Sequence, residues 1–468
     1  MNSSASKLLR QLGIVSATAL VISNMVGTGI FTTTGFLAGQ LGSPIVVLWI
    51  WVVGATCALA GAFCYSELGI NFPSSGGEYV YLSEAFGPTW GFMTGWVSFF
   101  AGFSAPIAAA ALAFSDYLGY FFPSLKEANT PYTLGYGGWV VKVGPPQAVA
   151  CALVAVFTIV NCLGVRRTAR IQNVLTAGKV LVMTAFVLMG LFAGKGSWAH
   201  FSQPAARTTT TPLAAQFAIS LFFIYVSYSG WNAATYVAEE LKLPARTLPR
   251  ALAWGTALVA LLYLGLNVVF IYAVPLESMK GVVAIGALAA SHLFGPDVAS
   301  LFSAAMALSL LATVNAMVTI GPRVYYAMAR NGAFFAAAAM VHPRWRTPVI
   351  AIVAQGVCTM LMTMTPFPSL LIYIGFTLNF SAVLSVASLF VFRRRAGWRK
   401  LGVVSFAFPA LPVLFLLVGV WMTIFGITLE PRVSLAAVFT VVTGALVYHF
   451  WLRRRILLSS RIDAGKHS

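Results

Sequence analysis

The sequence predicts an all-α polytopic membrane protein, two inverted five-helix units (a 5+5 inverted repeat) followed by two more helices. That makes about 12 transmembrane helices, of which the first and sixth are unwound. Three observations carry the expectation. The first is composition: of 468 residues, 59% are hydrophobic and 9% charged, with a mean hydropathy of +0.86, outside the range of a soluble globular domain. The second is a pair of interruptions about 200 residues apart, Val26-Gly27-Thr28-Gly29-Ile30-Phe31 and Val226-Ser227-Tyr228-Ser229-Gly230-Trp231. Each puts small residues where a continuous helix would favour Leu or Ala. The third is the alternation of basic residues between successive loops.

At roughly 20 apolar residues per crossing, the spans fall near 14–38, 44–69, 90–122, 148–164, 173–194, 213–241, 250–274, 297–328, 346–365, 369–392, 402–427 and 431–452. Residues 14–194 and 213–392 each hold five of them, and an odd-numbered unit repeated once must return upside down. Ser43-Pro44 opens span 2 as Leu248-Pro249 opens span 7, the break of span 1 answers that of span 6, and Lys179 in span 5 lies opposite Asn379 in span 10. Spans 11 and 12, residues 402–452, fall outside the repeat, and Pro409 and Pro412 read as a kink. Residues 1–13 and 453–468 are short termini.

The net charge of +18 raises the question of nucleic acid, and the placement of the charges answers it. With the N-terminus cytoplasmic, the inside segments hold 22 of the 29 basic residues, among them Arg166, Arg323, Arg330 and Arg393. Six lie outside (Lys126, Lys142, Lys195, Arg207, Lys280 and Arg432), and Lys179 lies inside a span. The positive-inside rule then predicts both termini in the cytoplasm of a cell membrane, plasma or inner. The excess is a topology signal with a weak attraction to the lipid bilayer, without the aromatic interleaving of a nucleic-acid binder. The apolar run after Lys7 and Arg10 is too long for a signal peptide and lacks a cleavage site, so span 1 is expected to stay in the mature chain. Cys57, Cys64, Cys151, Cys162 and Cys358 fall within spans with no CxxC pair, and the five His are scattered. No disulfide framework, metal site or cofactor is expected.

The breaks carry the chemistry. Irregular backbone at membrane depth is tolerated only where it lines a cavity. Span 1 runs outward, so its second half starts near Gly29 with unpaired N–H groups and a positive dipole end, which suits a carboxylate. Span 6 runs inward, so its first half ends near Val226 with unpaired carbonyls, which suit an ammonium. An amino acid carries both groups on one carbon. Glycine at Gly27 and Gly29 lets a ligand approach the backbone; the competing reading is close helix packing.

These residues resemble a known family. Val26-Gly27-Thr28-Gly29-Ile30-Phe31 looks like the unwound first helix of the amino acid–polyamine–organocation superfamily. Tyr65-Ser66-Glu67-Leu68 through Ser74-Ser75-Gly76-Gly77-Glu78-Tyr79 resembles the segment that follows. Tyr228-Ser229-Gly230-Trp231-Asn232 with Glu239-Glu240, Leu248-Pro249-Arg250-Ala251, Asn161-Cys162 with Ala169-Arg170-Ile171-Gln172-Asn173, and Arg323 to Gly332 tighten the match to the L-type amino acid transporter branch. The resemblance covers roughly residues 10–450. It implies a LeuT-type fold and a secondary transporter that moves L-amino acids, neutral ones foremost, often by exchange.

Carried over, it implies a carboxylate held at Gly27, Thr28 and Gly29, just past Val26, and an ammonium at the carbonyls of Met25, Val226 and Ser229. Walls would come from Phe103 to Pro106, from Tyr228 and Trp231, and from Asn379. Two departures stand out. The position of Val226 is commonly aromatic in this branch, where it closes over the substrate. The loop between spans 3 and 4, where heterodimeric members place a Cys, has none between Ser115 and Val149, so no disulfide-linked accessory subunit is expected.

Glu67, Glu239 and Glu240 sit at predicted cytoplasmic helix ends near Arg323 and Arg330. They read either as loose interfacial ion pairs or as an inner gate in which Val226 also takes part. Asp116 at the end of span 3 belongs with the first kind. Lys179 lies nine residues after Arg170, about 13 Å along a helix at ~1.5 Å per residue, and a buried charge is by default a functional hypothesis. In the family pattern such a lysine reaches the back of the span 1 break and stands where sodium-coupled relatives bind a cation, which implies sodium-independent alternating access. A buried lysine also sheds its proton more readily, which keeps a proton-coupled amino acid or amine symporter as the alternative. A membrane-embedded enzyme would need a nucleophile with a base, or paired His and carboxylates, within the spans. Neither that pattern nor a Walker A sequence occurs, so the chain is expected to be no enzyme.

Overall fold

The computed structural model describes residues 12–73, 76–136, 139–163, 168–330, 332–345 and 347–452. Lys7, Arg10, Ser74, Ser75, Arg166, Arg167, Asn331, Arg346 and the C-terminal segment from Arg453 lie outside the described residues. Among those described, nine helices are long and apolar enough to cross a membrane. Ile14–Met25 and Gly29–Leu41, bent by 41° across their break, make a tenth. The shorter apolar helices Thr168–Ala193 and Val349–Met362 stand at the expected fifth and ninth places.

Proline at a first helical position is pre-set for the helix and needs no N–H there. Pro44, Pro88, Pro145, Pro244 and Pro431 accordingly begin spans 2, 3, 4, 7 and 12. This corrects the expected start of span 7: Pro244 opens it and Pro249 lies inside it. Span 11 is likewise shorter than expected. The kink at Pro409 separates a helix Gly402–Phe406 from the span proper, Ala410–Leu429.

Hydrogen bonds between loops define two ends of the bundle. At one end Leu12 N–H reaches Glu240 O at 2.9 Å, Asn71 pairs with the Arg399 backbone, and Thr347 Oγ1 donates to Cys162 O. At the other, Ala205 N–H bonds Gly42 O, Gly281 N–H bonds Gly35 O, and Lys142 N–H bonds Met364 O. A small hairpin, Tyr132–Tyr136 paired antiparallel with Trp139–Val143, decorates that second end. The short apolar helix Ile285–Phe294 also stays there, held by Lys195 N–H to Leu293 O.

The core is made where spans pack on all sides. Span 7 (Pro244–Ala273) lies against spans 1 and 2, span 8 (Pro296–Arg330) against span 3, and Gly29–Leu41 against span 6. Span 3 is not a uniform α-helix: Ser98–Ser104 widens into a π-helical turn, a distortion often found beside functional sites.

Candidate functional site at the two breaks

Span 1 stops at Met25. The Val26 N–H still reaches Ile22 O at 2.9 Å, and the Gly27 N–H turns back to Met25 O at 2.8 Å. The helix resumes at Gly29, with Thr28 as its N-cap in helical geometry and no side chain capping it. The first N–H groups of a helix have no intrahelical partner, so Thr28, Gly29 and Ile30 leave an anion-seeking N-terminus inside the bundle. The Thr28 carbonyl takes Phe31 N–H at 3.0 Å and Thr32 Oγ1 at 3.1 Å.

Span 6 runs as Leu213–Tyr228 and then breaks at Ser229–Asn232. Ser229 N–H bonds Val226 O at 3.1 Å, a tighter closing turn that leaves other last-turn carbonyls unpaired within the helix. The chain continues as a 3₁₀ helix, Ala233–Glu240, bent at Val237.

The two breaks cross at close range. A methyl group on Gly29 would collide with Ser227, and one on Gly230, whose φ is +100°, would lie 2.7 Å from the Asn24 backbone. Thr33 Oγ1 and Ser227 Oγ share a 3.1 Å hydrogen bond just beyond. Gly27 differs: a methyl there would meet only Met25 O, at 3.9 Å. Gly29 was expected to make room for ligand, yet here it makes room for span 6. Open space is found at Gly27.

Several expected residues serve the scaffold. Met25 O accepts from Tyr263 Oη of span 7 at 2.7 Å as well as from Gly27 N–H, so it is already doubly engaged. Tyr228 is buried in an aromatic cluster with Trp51 and Tyr263, centroids 5.8 and 5.2 Å away, and donates to Trp51 O. Its ring therefore faces spans 2 and 7. Trp231 packs on Tyr65 and Phe415. Asn379 is buried, but its amide donates to Gly419 O and Thr423 Oγ1 at 3.0 and 3.2 Å; it ties span 10 to span 11. Val226 stays half-buried at the break, and Phe103 meets Tyr325 of span 8 edge-on.

Lys179 is buried and donates to Thr313 Oγ1 of span 8 at 2.5 Å. This bond ties span 5 to span 8. Among the gate candidates, Glu67 takes Arg393 in place of Arg323. Both its oxygens accept from the guanidinium, at 2.7 and 2.6 Å, and Trp398 Nε1 and Leu401 N–H complete the node. Arg323 is exposed on span 8, while Glu239 and Glu240 lie in the 3₁₀ half of span 6.

Sequence reasoning missed Tyr263 and Glu78. A hydroxyl in an apolar span must find a partner, which was the signal for the first. The second was quoted only as part of the Gly76-Gly77-Glu78-Tyr79 string.

Residues 12–447 match the amino acid permease family. The large neutral amino acids transporter small subunit 2 of Mus musculus is 30% identical over 451 residues, covering 94% of this chain and 81% of that protein. Asc-type amino acid transporter 1 of Mus musculus is 28% identical over 469 residues, 95% of this chain and 82% of that one. The serine/threonine exchanger SteT of Bacillus subtilis (strain 168) is 29% identical over 421 residues, 88% and 90%. With a match that runs through both breaks and nearly every span, the chain belongs to the amino acid permease family.

Proposed function

We propose that this permease exchanges neutral L-amino acids across a cell membrane by sodium-independent alternating access, as a transporter and not an enzyme. Both termini are cytoplasmic, and no disulfide-linked partner is needed. The observation that carries this reading is the uncapped helix start at Gly29 beside the carbonyl end at Val226 and Ser229. The two supply opposite partial charges for the two ends of one zwitterion. The names of the relatives, neutral amino acid carriers and a serine/threonine exchanger, support the substrate class. The 5+5 inverted repeat is supported by the pairing of broken spans 1 and 6, and by Pro44 and Pro244 opening spans 2 and 7. Sodium independence rests on Lys179, whose buried ammonium joins spans 5 and 8 and makes a resident cation there unfavourable.

The test is uptake of labelled serine and leucine by proteoliposomes in sodium-free buffer. Flux is expected when unlabelled amino acid is loaded inside, with no competition from decarboxylated amines; a strict sodium requirement or strong inhibition by amines would overturn the reading. Gly27→Ala probes the cradle itself. Its methyl has room in the protein and crowds only the ligand, so uptake should fall roughly 10-fold or more, the scale of one misplaced methyl group in a binding site, with thermal stability unchanged.

A further inference from the structure

The loop between spans 2 and 3 folds into the end of the bundle beneath the span 6 break. Gly77 turns there with φ +48°, close enough to Tyr236 that a methyl group on it would press the ring. Glu78 then begins the helix Glu78–Phe86 with its side chain buried. Its Oε1 accepts from Tyr65 Oη of span 2 at 2.6 Å and from Asn232 Nδ2, the last residue of the unwound segment, at 3.2 Å. One carboxyl thus touches the loop, span 2 and the part of span 6 that must move for the cavity to open. The titratable groups facing it are Tyr65 from span 2, Tyr225 and Tyr236 from span 6, and Tyr81 from its own helix. Among the described residues no cation joins them, in contrast to Glu67, which Arg393 neutralises.

We propose that Glu78 is a proton-bearing latch: its carboxyl holds the 2–3 loop to the unwound segment of span 6, and a proton bound there favours the latched conformation. This rests on the transport reading above. A proton on the second oxygen leaves both hydrogen bonds to Oε1 in place and removes the cost of a buried, unpaired charge. When the loop parts from span 6 and water enters, the carboxyl returns to the ordinary carboxylate range and releases the proton. Burial pushes Glu78 up to about 7, against the two hydrogen bonds that pull it down. The latched form therefore binds more protons than the open form below that point, and falling pH shifts the equilibrium toward it. Glu78 is a positioning residue, since it acts on the substrate site through span 6.

The experiment is exchange at saturating serine, pH equal on both sides, from roughly pH 5.5 to 8.5, together with thermal unfolding in detergent over the same range. The parent should lose about threefold or more of its rate as pH falls through the region of 7, and its unfolding temperature should rise over the same interval. Glu78→Gln, a neutral mimic that can still accept both bonds, should show neither inflection. Tyr65→Phe removes a donor that favours the charged form, so it should move both inflections to higher pH. A flat parent profile, an inflection retained in Glu78→Gln, or an unmoved midpoint in Tyr65→Phe would overturn the latch. If no amino acid flux is seen at any pH, the transport reading fails instead, and the unfolding profiles still decide whether Glu78 titrates as described.

Discussion

The break in span 1 and the break in span 6 look alike in sequence and are built differently. Span 1 reopens as a full α-helix whose first N–H groups have no cap, and the residue beside them, Gly27, faces open space. Span 6 closes with a tight Ser229-to-Val226 turn, passes Gly230 at positive φ against the Asn24 backbone, and continues as a 3₁₀ helix. One break leaves room beside it; the other packs closely on its partner. Small residues at a break therefore do two jobs, and only the surroundings separate them.

The sharpest way to break this comparison is to add one methyl group at each glycine. Gly230→Ala has to adopt a left-handed conformation and also displace the Asn24 backbone, so the loss should be roughly 3 kcal/mol or more from the two effects together. It should appear as a large drop in unfolding temperature and in monodisperse yield. Gly29→Ala, pressed on Ser227, should fall in the same direction by less, because side chains can partly relax. If Gly230→Ala proved as stable as Gly27→Ala, the distinction between the close-packed break and the open one would be gone.

A smaller effect is expected behind the breaks. Lys179 links span 5 to Thr313 of span 8 through a buried hydrogen bond. Removing one partner of a buried polar pair costs about 1–3 kcal/mol. Lys179→Ala should therefore reduce exchange by about tenfold even at saturating substrate, while Thr313→Val, which leaves the ammonium buried and unbonded, should be at least as damaging. Normal flux in Lys179→Ala would remove this lysine from the mechanism.

Much of this molecule could be read from its residues. Apolar length gave the spans, and paired small residues gave both breaks, because these depend on local composition. Lys179 was legible as a buried charge for the same reason. What the sequence did not carry was direction around each helix. Asn379 and Tyr228 sit on the right spans, yet one turns to span 11 and the other to spans 2 and 7. In helices apolar on every side, with no polar face to orient them, periodicity cannot say which neighbour a side chain meets. Glu67 shows a second limit: its partner Arg393 is 326 residues away in the chain, and a shared predicted cytoplasmic side could not choose among the arginines placed there.

The smallest predicted effect addresses what the two breaks leave undecided. In the binding mode proposed above, the N–H groups at Gly29 and the carbonyls near Val226 and Ser229 would meet the backbone of a substrate, which every L-amino acid shares, and so would not choose among side chains. Choice would have to come from residues at the rim, and Val226 is half-buried at the break while Tyr228, Trp231 and Asn379 are committed to packing. Val226→Phe adds bulk at that rim without touching either cradle. Uptake of leucine relative to serine should fall by roughly tenfold, the scale of a methylene-sized misfit in a pocket, with total serine flux and unfolding temperature close to the parent. An unchanged leucine-to-serine ratio would place the selecting surface elsewhere, on the π-helical turn of span 3 around Phe103, and would leave the span 6 break with the single task of holding span 1.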